Sequence, residues 1–503
     1  MSMASFWTLE SIKSVLGGTW LARPSEEGSL GGASIDSRAV SAGQIFFALR
    51  GERVDGHAFV RGALERGAGL AIVDRPEALE DGLVQEVKSK RAILRVPDVG
   101  AALLKLAAAY RKTLDMTKVI AVGGSNGKTT TTRLIEQVLL SGLRGTASIK
   151  SFNNAIGVPL TILNARRTDQ FLLCEVGTNA PGEILTLTEV VCPDIAVITS
   201  IGREHLEGLK DLAGVAQEEA TLLRTLNKGG LAILNADAPE LTRATQRELA
   251  KRIAGTFSVV RFGSASDADL RIGDVRADGN GVRWMVNGRL QCTIGLLGEH
   301  NAWNATAALA VGRRLGLNEE QIVSALATAK GPEMRMQKHA VERSGGTITV
   351  INDAYNANPE SMVKAFEAIG AMSVSPGGRR VLVIGEMLEL GIESPALHAE
   401  VGKATGLAKP DVVVCVGAMM EHAARVIGQM MPQVQVVRVL SADGEGARQI
   451  AGLLRSGDLV LLKGSRRMGL ERVLKALEAS GGCTSVVEAK PESPLCAERP
   501  NAA

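Results

Sequence analysis

One stretch of the chain carries residues whose types and spacing suit phosphate binding. An apolar run, Val119–Val122, ends in a glycine-rich loop at residues 123–127, and Lys128 and Thr129 then lead into a helical pattern that begins near Thr131. A strand, a glycine loop and a helix N-terminus in this order turn backbone amides toward an anion. Lys128 could bridge the outer phosphates, and the Thr129 hydroxyl could ligate Mg²⁺. The strict phosphate-loop pattern has glycine at position 122, where this chain has valine, so an ordinary strand–turn–helix is the alternative.

Polar side chains follow several predicted strands at the points where those strands end. In parallel α/β sheets, ligands collect at the carboxyl ends of the strands. A carboxylate one strand away from a phosphate loop is the expected second holder of Mg²⁺, which here is Glu175. His205 with Glu219 could serve a second metal ion, although histidine is an uncommon Mg²⁺ ligand. Each side chain alone could be a cap or a surface group, but their recurrence predicts a shared site; they are Glu175, His205, Asp353, Glu386, Lys463 and Ser465.

The segment Gly298–Asn304 predicts a helix start that presents two amides. Asn301 and Asn304 lie three positions apart, so both project from the same side of a helix. Side-chain amides match the donor and acceptor edge of adenine. Helix capping is the alternative role for such asparagines.

The composition excludes several classes of function. Of the 503 residues, 45% are hydrophobic and 22% are charged, which is ordinary for a globular protein. The net charge is +3 without a block of like charges, so we expect no nucleic-acid partner and no membrane surface. Aromatic residues make up only 3%, which argues against a platform for stacking nucleic-acid bases. Six scattered cysteines without CxxC spacing, and no signal-like N-terminus or long apolar run, favour a cytoplasmic protein that does not insert into membranes.

The chain length predicts about three domains, and the alternation of patterns places them in the α/β class. Residues 1–97 are typical of a small mixed α/β unit, and residues 98–331 alternate strands and helices as in a parallel sheet covered by helices. Within that central unit, residues 270–297 have the alternation and turns of antiparallel strands. A second α/β sheet is predicted for residues 332–482, and disorder for residues 483–503, which lack periodicity.

Taken together, these segments resemble the Mur ligase family, whose members use ATP to form amide bonds. The resemblance implies an N-terminal domain for a UDP-sugar, a central P-loop ATPase domain, and a C-terminal Rossmann-like domain that completes the ATP site and admits the amine. The motifs run in the family's order along nearly the whole chain, which is more specific than any single match. They are Gly124-Ser-Asn-Gly-Lys-Thr129, Glu175-Val-Gly177, His205-Leu-Glu207, Gly298-x-His-Asn-x-x-Asn304, Arg335, Asp353 and Lys463-Gly-Ser465.

Further motifs narrow the expected substrates within the family. Asp353-Ala-Tyr-Asn-Ala-Asn-Pro-Glu-Ser-Met362 and Gly385-Glu-Met-Leu-Glu-Leu-Gly391 are similar to those of the member that adds D-alanyl-D-alanine to UDP-N-acetylmuramoyl-tripeptide. The sister enzyme that adds the third amino acid usually carries Asp-Asn-Pro-Arg, which this sequence lacks. Ser34–Arg38 and Val54–His57 resemble the uridine-nucleotide-binding segments of both members. The implied activity belongs to peptidoglycan precursor synthesis, and hence to cell wall biogenesis, cell shape and cell division.

The resemblance also implies a mechanism and a set of site residues. The peptide carboxylate attacks the γ-phosphate of ATP, the amine attacks the resulting acyl phosphate, and the protein neutralises charge and aligns the reactants. The implied catalytic residues are Lys128, His205 and Lys463. Those expected to bind ATP are Gly124, Ser125, Asn126, Gly127, Lys128, Thr129, Thr130, Asn154, Asn301, Asn304, Arg335 and Asp353. Those expected to bind the other substrates are Ser37, Arg38, His57, Tyr355, Asn356, Asn358, Glu386 and Ser465, and those expected to bind Mg²⁺ are Thr129, Glu175, His205 and Glu219.

The sequence departs from the family pattern at one metal position. Several members, the one resembled here normally included, carry a carbamylated lysine fourteen residues after the motif histidine, and Glu219 stands at that place. A glutamate offers similar oxygens on a shorter arm, so our hypothesis is that Glu219 replaces the modified lysine. The alternative is that Glu218, or neither residue, reaches the metal.

We considered three alternative functions, and residues of the sequence argue against each of them. A sister ligase adding a different amino acid, or a folylpolyglutamate synthase, conflicts with Asn356-Ala-Asn358-Pro359. A nucleotide-binding scaffold that has lost ligation conflicts with the intact motif residues. A dinucleotide-dependent oxidoreductase needs a Gly-x-Gly-x-x-Gly turn, and Lys128-Thr129 occupies that place. The sequence does not decide whether the third residue of the tripeptide is diaminopimelate or lysine. We expect the protein to be a monomer.

Overall fold

Three β-sheets of five, nine and seven strands, each carrying helices, organise the molecule. The computed structural model describes residues 6–25, 28–52, 54–87, 91–250, 257–343 and 345–487. The predicted α/β class is confirmed. None of the helices in this part of the chain combines the length and the apolarity needed to cross a lipid bilayer.

The first sheet has the strand order β1-β5-β4-β3-β2, with β1 antiparallel to β5 and the other pairs parallel. Its apolar strands are buried on both faces, as the continuous run of four buried residues in Leu70–Val73 shows. The strands are β1 (Thr19–Ala22), β2 (Ala33–Ser34), β3 (Ile45–Phe47), β4 (Leu70–Val73) and β5 (Ala92–Arg95), and the helices are α1 (Leu9–Leu16), α2 (Val60–Glu65) and α3 (Leu83–Val87).

The second sheet places the phosphate-loop strand between its two polar-ended neighbours. The helices around it are α4 (Val99–Arg111), α5 (Lys128–Leu140), α6 (Gly157–Leu163), α7 (Glu183–Val191), α8 (Leu206–Leu209), α9 (Leu212–Ala220), α10 (Pro239–Ala250), α11 (His300–Arg314) and α12 (Glu319–Ala327). The strands are β6 (Lys118–Gly123), β7 (Gly145–Ala147), β8 (Phe171–Glu175), β9 (Ile195–Ile198), β10 (Leu231–Asn235), β11 (Ser258–Gly263), β12 (Leu270–Asp278), β13 (Gly281–Val286) and β14 (Leu290–Ile294).

The order β14-β13-β12-β11-β10-β9-β6-β8-β7 puts β6 beside β8 and β9, all parallel, so their carboxyl ends meet at one edge. The predicted antiparallel strands near residues 270–297 are confirmed as β12, β13 and β14. Helix α5 begins at Lys128, three residues earlier than the sequence predicts, because the left-handed Gly127 starts it.

The third sheet has the order β19-β18-β17-β20-β16-β15-β21. Its strands are β15 (Gln337–Arg343), β16 (Gly346–Asp353), β17 (Arg380–Gly385), β18 (Val412–Val416), β19 (Gln435–Val439), β20 (Leu459–Lys463) and β21 (Cys483–Val486), and its helices are α13 (Pro359–Gly370), α14 (Ser394–Ala404), α15 (Met420–Met430), α16 (Gly444–Leu453) and α17 (Glu471–Ala479).

The last strand corrects one prediction. Disorder from residue 483 is wrong for Cys483–Val486, which pairs antiparallel with β15 because that strand offers a free edge of backbone donors and acceptors. Val487 continues the pairing, since its N–H donates to the Lys338 carbonyl at 2.9 Å. Residues 488–503 of the predicted tail lie outside the described residues. The domain boundaries near residues 97, 331 and 482 stay predictions.

Candidate functional site

A cavity of about 1360 Å³ lies between the second and third sheets. The loops after β6, β8 and β9, the first turn of α11, the segment after α12 and the loops after β16 and β20 all contribute to its wall. The cavity brings together most of the predicted site residues, although they are spread over more than three hundred positions. Those that line it are Ser125, Asn126, Gly127, Lys128, Thr130, Asn154, Glu175, His205, Asn301, Asn304, Arg335, Asp353, Tyr355, Asn356, Asn358, Lys463 and Ser465.

The phosphate loop requires its glycines for conformation and for space. Gly124 has φ +113° and Gly127 has φ +87°, a region that side chains with a Cβ rarely adopt. A Cβ on Gly124 would come within 2.4 Å of Thr199 Oγ1, and one on Gly127 within 2.4 Å of Asn304 Oδ1. The loop therefore packs directly on its neighbours, and the N-terminus of α5 follows at once.

Lys128 is held among carboxylates at the start of α5. Its Nζ donates to the carbonyls of Gly124 and Ser125, the latter at 3.2 Å, and lies 3.4 Å from Glu204 Oε1. Burial alone would lower the pKa of Lys128, but Glu204, Glu219 and Glu175 outweigh it and raise the pKa. Lys128 is therefore a fixed positive charge facing the cavity.

Thr129 and Glu175 meet as the sequence predicts. Thr129 Oγ1 donates to Glu175 Oε1 at 3.1 Å, and Asn153 Nδ2 donates to the same oxygen at 2.9 Å. Arg335 Nη2 donates to Thr129 Oγ1 at 3.1 Å. Glu175 Oε2 is buried without a hydrogen-bond partner. Burial raises the pKa of Glu175, opposed by Arg335 and Lys128, so an added cation would stabilise the ionised carboxylate.

Glu219 and Glu218 have separate roles. Glu219 is fully buried, and its Oε2 accepts from the Gly124 amide at 2.6 Å while its Oε1 has no partner. Burial raises the pKa of Glu219 to about 7, against the attraction of Lys128. Glu218 instead accepts from the amides of Gly182 and Ile184 at the N-terminus of α7, both at 2.9 Å. Glu219 is thus the residue that faces the phosphate loop, and its role as a metal ligand stays a prediction.

His205 contacts a carboxylate of the third domain. Its Nδ1 lies 2.6 Å from Glu389 Oε2, and both residues have positive φ, 52° and 64°. Sequence reasoning missed Glu389, and also the buried Glu204 that pairs with Lys128. A carboxylate directly before the motif histidine was the signal for Glu204. In the described part of the chain, no three His, Cys, Asp or Glu side chains form a group that could hold a metal ion alone.

Lys463 and Asp353 form a buried pair at the ends of β20 and β16. Lys463 Nζ lies 2.6 Å from Asp353 Oδ2 and donates to the Asn356 carbonyl at 3.1 Å. The other carboxylate oxygen of Asp353 accepts from the Met336 amide at 3.1 Å. The guanidinium of Arg335 lies over the Tyr355 ring, 4.4 Å from its centroid. Lys463 and Arg335 thus add positive charge to the cavity that Lys128 also lines.

The predicted asparagines are partly engaged by the protein itself. Asn304 Nδ2 donates to Asn301 Oδ1 at 3.0 Å, and Asn301 Nδ2 donates to the Leu297 carbonyl at 2.8 Å. Asn154 Oδ1 accepts from the amide of Gly157, the first residue of α6, at 2.9 Å, which leaves its amide nitrogen for a ligand. Asn358 caps α13 and also donates to Asn126 Oδ1 in the phosphate loop at 2.9 Å.

An ion-pair cluster that the sequence did not reveal joins the second and third domains. Arg203, in the loop after β9, binds Glu360 of α13 through Nε at 2.7 Å and Glu400 of α14 through Nη2 at 2.7 Å. The Arg203 backbone amide also donates to Glu360 at 2.9 Å. We call Arg203, Glu360 and Glu400 the interdomain cluster.

Glu386, expected to bind substrate, does not line the cavity. Its carboxylate accepts from the Met419 amide at 2.9 Å and packs against Gly417, so it supports the loop after β18. Ser465, also expected to bind substrate, does line the cavity, and its Oγ accepts from the Leu388 amide at 2.9 Å.

The residues expected to bind the uridine nucleotide lie in the first domain, and they do not line the cavity. His57 is buried, Nδ1 lies 2.8 Å from Asp55, and Nε2 accepts from the Arg75 amide at 3.2 Å, so both ring nitrogens have partners within the protein. A contact between His57 and substrate stays a prediction. Arg38 is exposed and held by Asp36 at 2.8 Å, and Ser37 is half-buried in the same turn. For Ser37 and Arg38, nucleotide binding stays a prediction.

Comparison with known proteins matches three family models in chain order. They are "Mur ligase family, catalytic domain" at residues 30–111, "Mur ligase middle domain" at 122–312, and "Mur ligase, glutamate ligase domain" at 334–466. The chain belongs to the Mur ligase family. The phosphate loop and the residues that face it from β8 and β9 fall in the middle domain of this Mur ligase, and Asp353 and Lys463 fall in its glutamate ligase domain.

Several curated relatives of this Mur ligase share one functional name. A UDP-N-acetylmuramoyl-tripeptide–D-alanyl-D-alanine ligase of Bacillus subtilis is 33% identical over 93% of this chain and 98% of its own. The ligase of that name in Escherichia coli is 31% identical over 90% and 95%. A crystal structure of MurF from Acinetobacter baumannii has a TM-score of 0.78 at 27% identity and covers 94% of this chain and 99% of its own. MurF ligase from Thermotoga maritima in complex with ADP has a TM-score of 0.71 at 26% identity, covering 89% and 97%.

Proposed function

We propose that this Mur ligase joins D-alanyl-D-alanine to UDP-N-acetylmuramoyl-tripeptide, with ATP converted to ADP and phosphate. The observation that carries the proposal is the cavity that both Lys128 of the phosphate loop and Lys463 of the third domain line. Two anions must be brought together in such a reaction, and fixed cations from both domains lower the cost of doing so. The shared name of relatives that cover nearly the whole chain supports the same substrates.

The donor set fits Mg²⁺. Thr129 Oγ1 and Glu175 are 3.1 Å apart, and two buried carboxylate oxygens, Glu175 Oε2 and Glu219 Oε1, lack partners. Mg²⁺ is usually held by one or two carboxylates together with substrate phosphates and water, so a larger protein cluster is not needed. Thr129 and Glu175 would hold one ion, Glu219 with His205 would hold a second, and the bound metal would neutralise phosphate charge.

The chain's own residues then divide the work. Amides of the phosphate loop and Lys128 bind the outer phosphates of ATP and orient the γ-phosphate toward the tripeptide carboxylate. Lys463 stabilises the acyl phosphate and the tetrahedral intermediate as negative charge develops on them. Tyr355, Asn356 and Ser465, which line the cavity, bind the dipeptide and orient its amine. All of these groups belong to one chain, so a monomer suffices.

The proposal is tested by offering ATP, Mg²⁺ and UDP-N-acetylmuramoyl-tripeptide with different amines. We expect phosphate release with D-alanyl-D-alanine and a product whose mass equals tripeptide plus dipeptide less water. Comparison of lysine- and diaminopimelate-containing tripeptides identifies the third residue. Phosphate release with single amino acids instead would indicate a sister ligase, and ATP binding without amine-dependent phosphate release would indicate a scaffold.

A further inference from the structure

The first turn of α11 presents an aromatic side chain that none of the motifs above uses. His300, Asn301, Trp303 and Asn304 all line the cavity. Because an α-helix has 3.6 residues per turn, these four side chains occupy one continuous sector of it. Trp303 is the large apolar member, packed on one side against the core of the second domain. Burial lowers the pKa of the neighbouring His300 to about 4, so that ring is neutral.

Asp237, in the loop after β10, fixes the orientation of the indole. Trp303 Nε1 donates to Asp237 Oδ2 at 2.6 Å. The same carboxylate accepts from the amides of Ser264 at 2.9 Å and Ala265 at 2.8 Å. Burial would raise the pKa of Asp237, but these donors lower it, so the carboxylate stays ionised and the bond is charge-assisted. The plane of Trp303 is therefore set by the protein.

The indole lies at the right distance from the phosphate loop to meet a nucleotide base. Asn304 abuts that loop, since a Cβ on Gly127 would come within 2.4 Å of Asn304 Oδ1. Asp237 follows β10, which is separated from β6 only by β9. Two strand spacings amount to about 10 Å, comparable with the distance from the outer phosphates to the base of a nucleoside triphosphate. A nucleotide anchored at Lys128 can thus lay its base beside Trp303, with the Asn301 and Asn304 amides at its edge.

We propose that Trp303 is the stacking wall for the purine base and that Asp237 is its positioning residue. This inference rests on the proposed use of ATP and adds a determinant of base recognition to it. Tyr355 is another large aromatic ring in the cavity wall, and Arg335 already covers one of its faces. In the described part of the chain, no ring or cation is stacked on Trp303, so the cavity-facing side of the indole is open to a ligand.

The first test measures binding of ADP to the full chain by calorimetry. Removing a stacking partner of a base costs about tenfold in affinity, so Trp303→Leu weakens ADP about tenfold and raises the KM for ATP with little change in kcat. Trp303→Phe, which keeps a ring but loses the bond to Asp237, shows a smaller loss, as does Asp237→Asn. Inorganic tripolyphosphate, which has no base, binds all four proteins equally.

The second test uses tryptophan fluorescence. The chain has four tryptophans, Trp7, Trp20, Trp284 and Trp303. We expect ADP to quench the emission of the wild-type protein and of the control Trp20→Phe, and to leave that of Trp303→Phe unchanged. Trp20 is a fair control because it lies in β1 of the first domain.

Unchanged ADP affinity in Trp303→Leu, or an equal loss for tripolyphosphate, would overturn the inference. If Trp303→Leu does not fold, as judged by circular dichroism, the affinity and fluorescence of Trp303→Phe decide. Failure of the proposed function looks different: ADP would still bind and quench Trp303, but phosphate release would not depend on D-alanyl-D-alanine.

Discussion

At the scale of single residues, the phosphate loop is surrounded by buried acids. Glu175, Glu204 and Glu219 all face Lys128, and two of them carry an oxygen without a partner. Such an arrangement costs stability in the free protein, because burying a charge without full pairing is unfavourable. A bound cation would supply the missing positive charge, so this cost is offset when the ligand binds.

Glu219→Gln is expected to raise the melting temperature of the free protein above neutral pH. The folded pKa of Glu219, about 7, lies above the ordinary glutamate value of 4.5, so the native state binds more protons than the unfolded state between these values. Wild-type stability therefore falls as pH rises from about 4.5 to 7, by on the order of 3 kcal/mol. The melting-temperature gap between variant and wild type should grow from pH 5 to pH 8. A constant gap would contradict this.

Glu219→Lys tests whether this acid replaces a carbamylated lysine. If it does, we expect the wild-type ligase to be indifferent to bicarbonate and Glu219→Lys to regain activity as bicarbonate is added, because carbamylation restores an anionic metal-binding group. The rate of phosphate release with D-alanyl-D-alanine is the measurement. Glu218→Lys is the matched control, since Glu218 caps α7 instead of facing the loop. If the activity of Glu219→Lys does not depend on bicarbonate, the hypothesis that Glu219 replaces a carbamylated lysine is wrong.

At the scale of elements, α13 links the loop after β16 to the phosphate loop. Its N-cap, Asn358, both closes a capping box with Ser361 and donates to Asn126. A local capping pattern thus also fixes how the third domain contacts the second. The two roles can be separated, because serine caps a helix nearly as well as asparagine but is too short to reach Asn126.

Asn358→Ser is expected to keep the stability of the protein and lower its activity. Asn358→Ala should lose both the cap, about 1 kcal/mol, and the interdomain hydrogen bond. Thermal unfolding and kcat/KM for ATP measure the two effects. Equal activity of Asn358→Ser and the wild-type protein would show that the bond to Asn126 does not matter for catalysis.

At the scale of the whole molecule, polar contacts join the second and third domains at the loop after β9. Arg203 with Glu360 and Glu400, and His205 with Glu389, all span this boundary. Leu206 and Leu209 of the second domain also belong to one buried apolar cluster with Met387 and Leu390 of the third. The ion pairs, which are partly exposed and screened by salt, therefore add a small contribution to an interface that is partly apolar.

Arg203→Ala is expected to favour an open arrangement of the domains. Loss of two partly exposed ion pairs, about 1 kcal/mol together, should lower kcat/KM about fivefold and increase the radius of gyration in solution scattering. Arg438→Ala, which removes an ion pair with Glu421 inside the third domain, is the control and should change neither. An effect of Arg203→Ala on melting temperature alone would argue for a purely structural role.

Sequence patterns predicted what is local and missed what is distant. Glu175 and Lys463 were placed correctly because each ends a strand, and the ends of parallel strands converge. Glu386 also ends a strand, but its carboxylate accepts a hydrogen bond from the Met419 amide in the loop after β18. No pattern within β17 encodes this contact. Arg203 and Glu389 act across a domain boundary, so their roles depend on residues more than one hundred and fifty positions away. Strand β21 likewise depends on the free edge of β15.

The second sheet is mixed: its strands are parallel around β6 and antiparallel from β12 to β14. The phosphate loop grows from the parallel part, whereas Thr293, Gly295 and Leu296, which also line the cavity, belong to or follow β14. A protein engineer could therefore remodel the preference for one nucleotide over another in the segment 290–304 without altering the catalytic loop. Selection during evolution could vary the same segment independently.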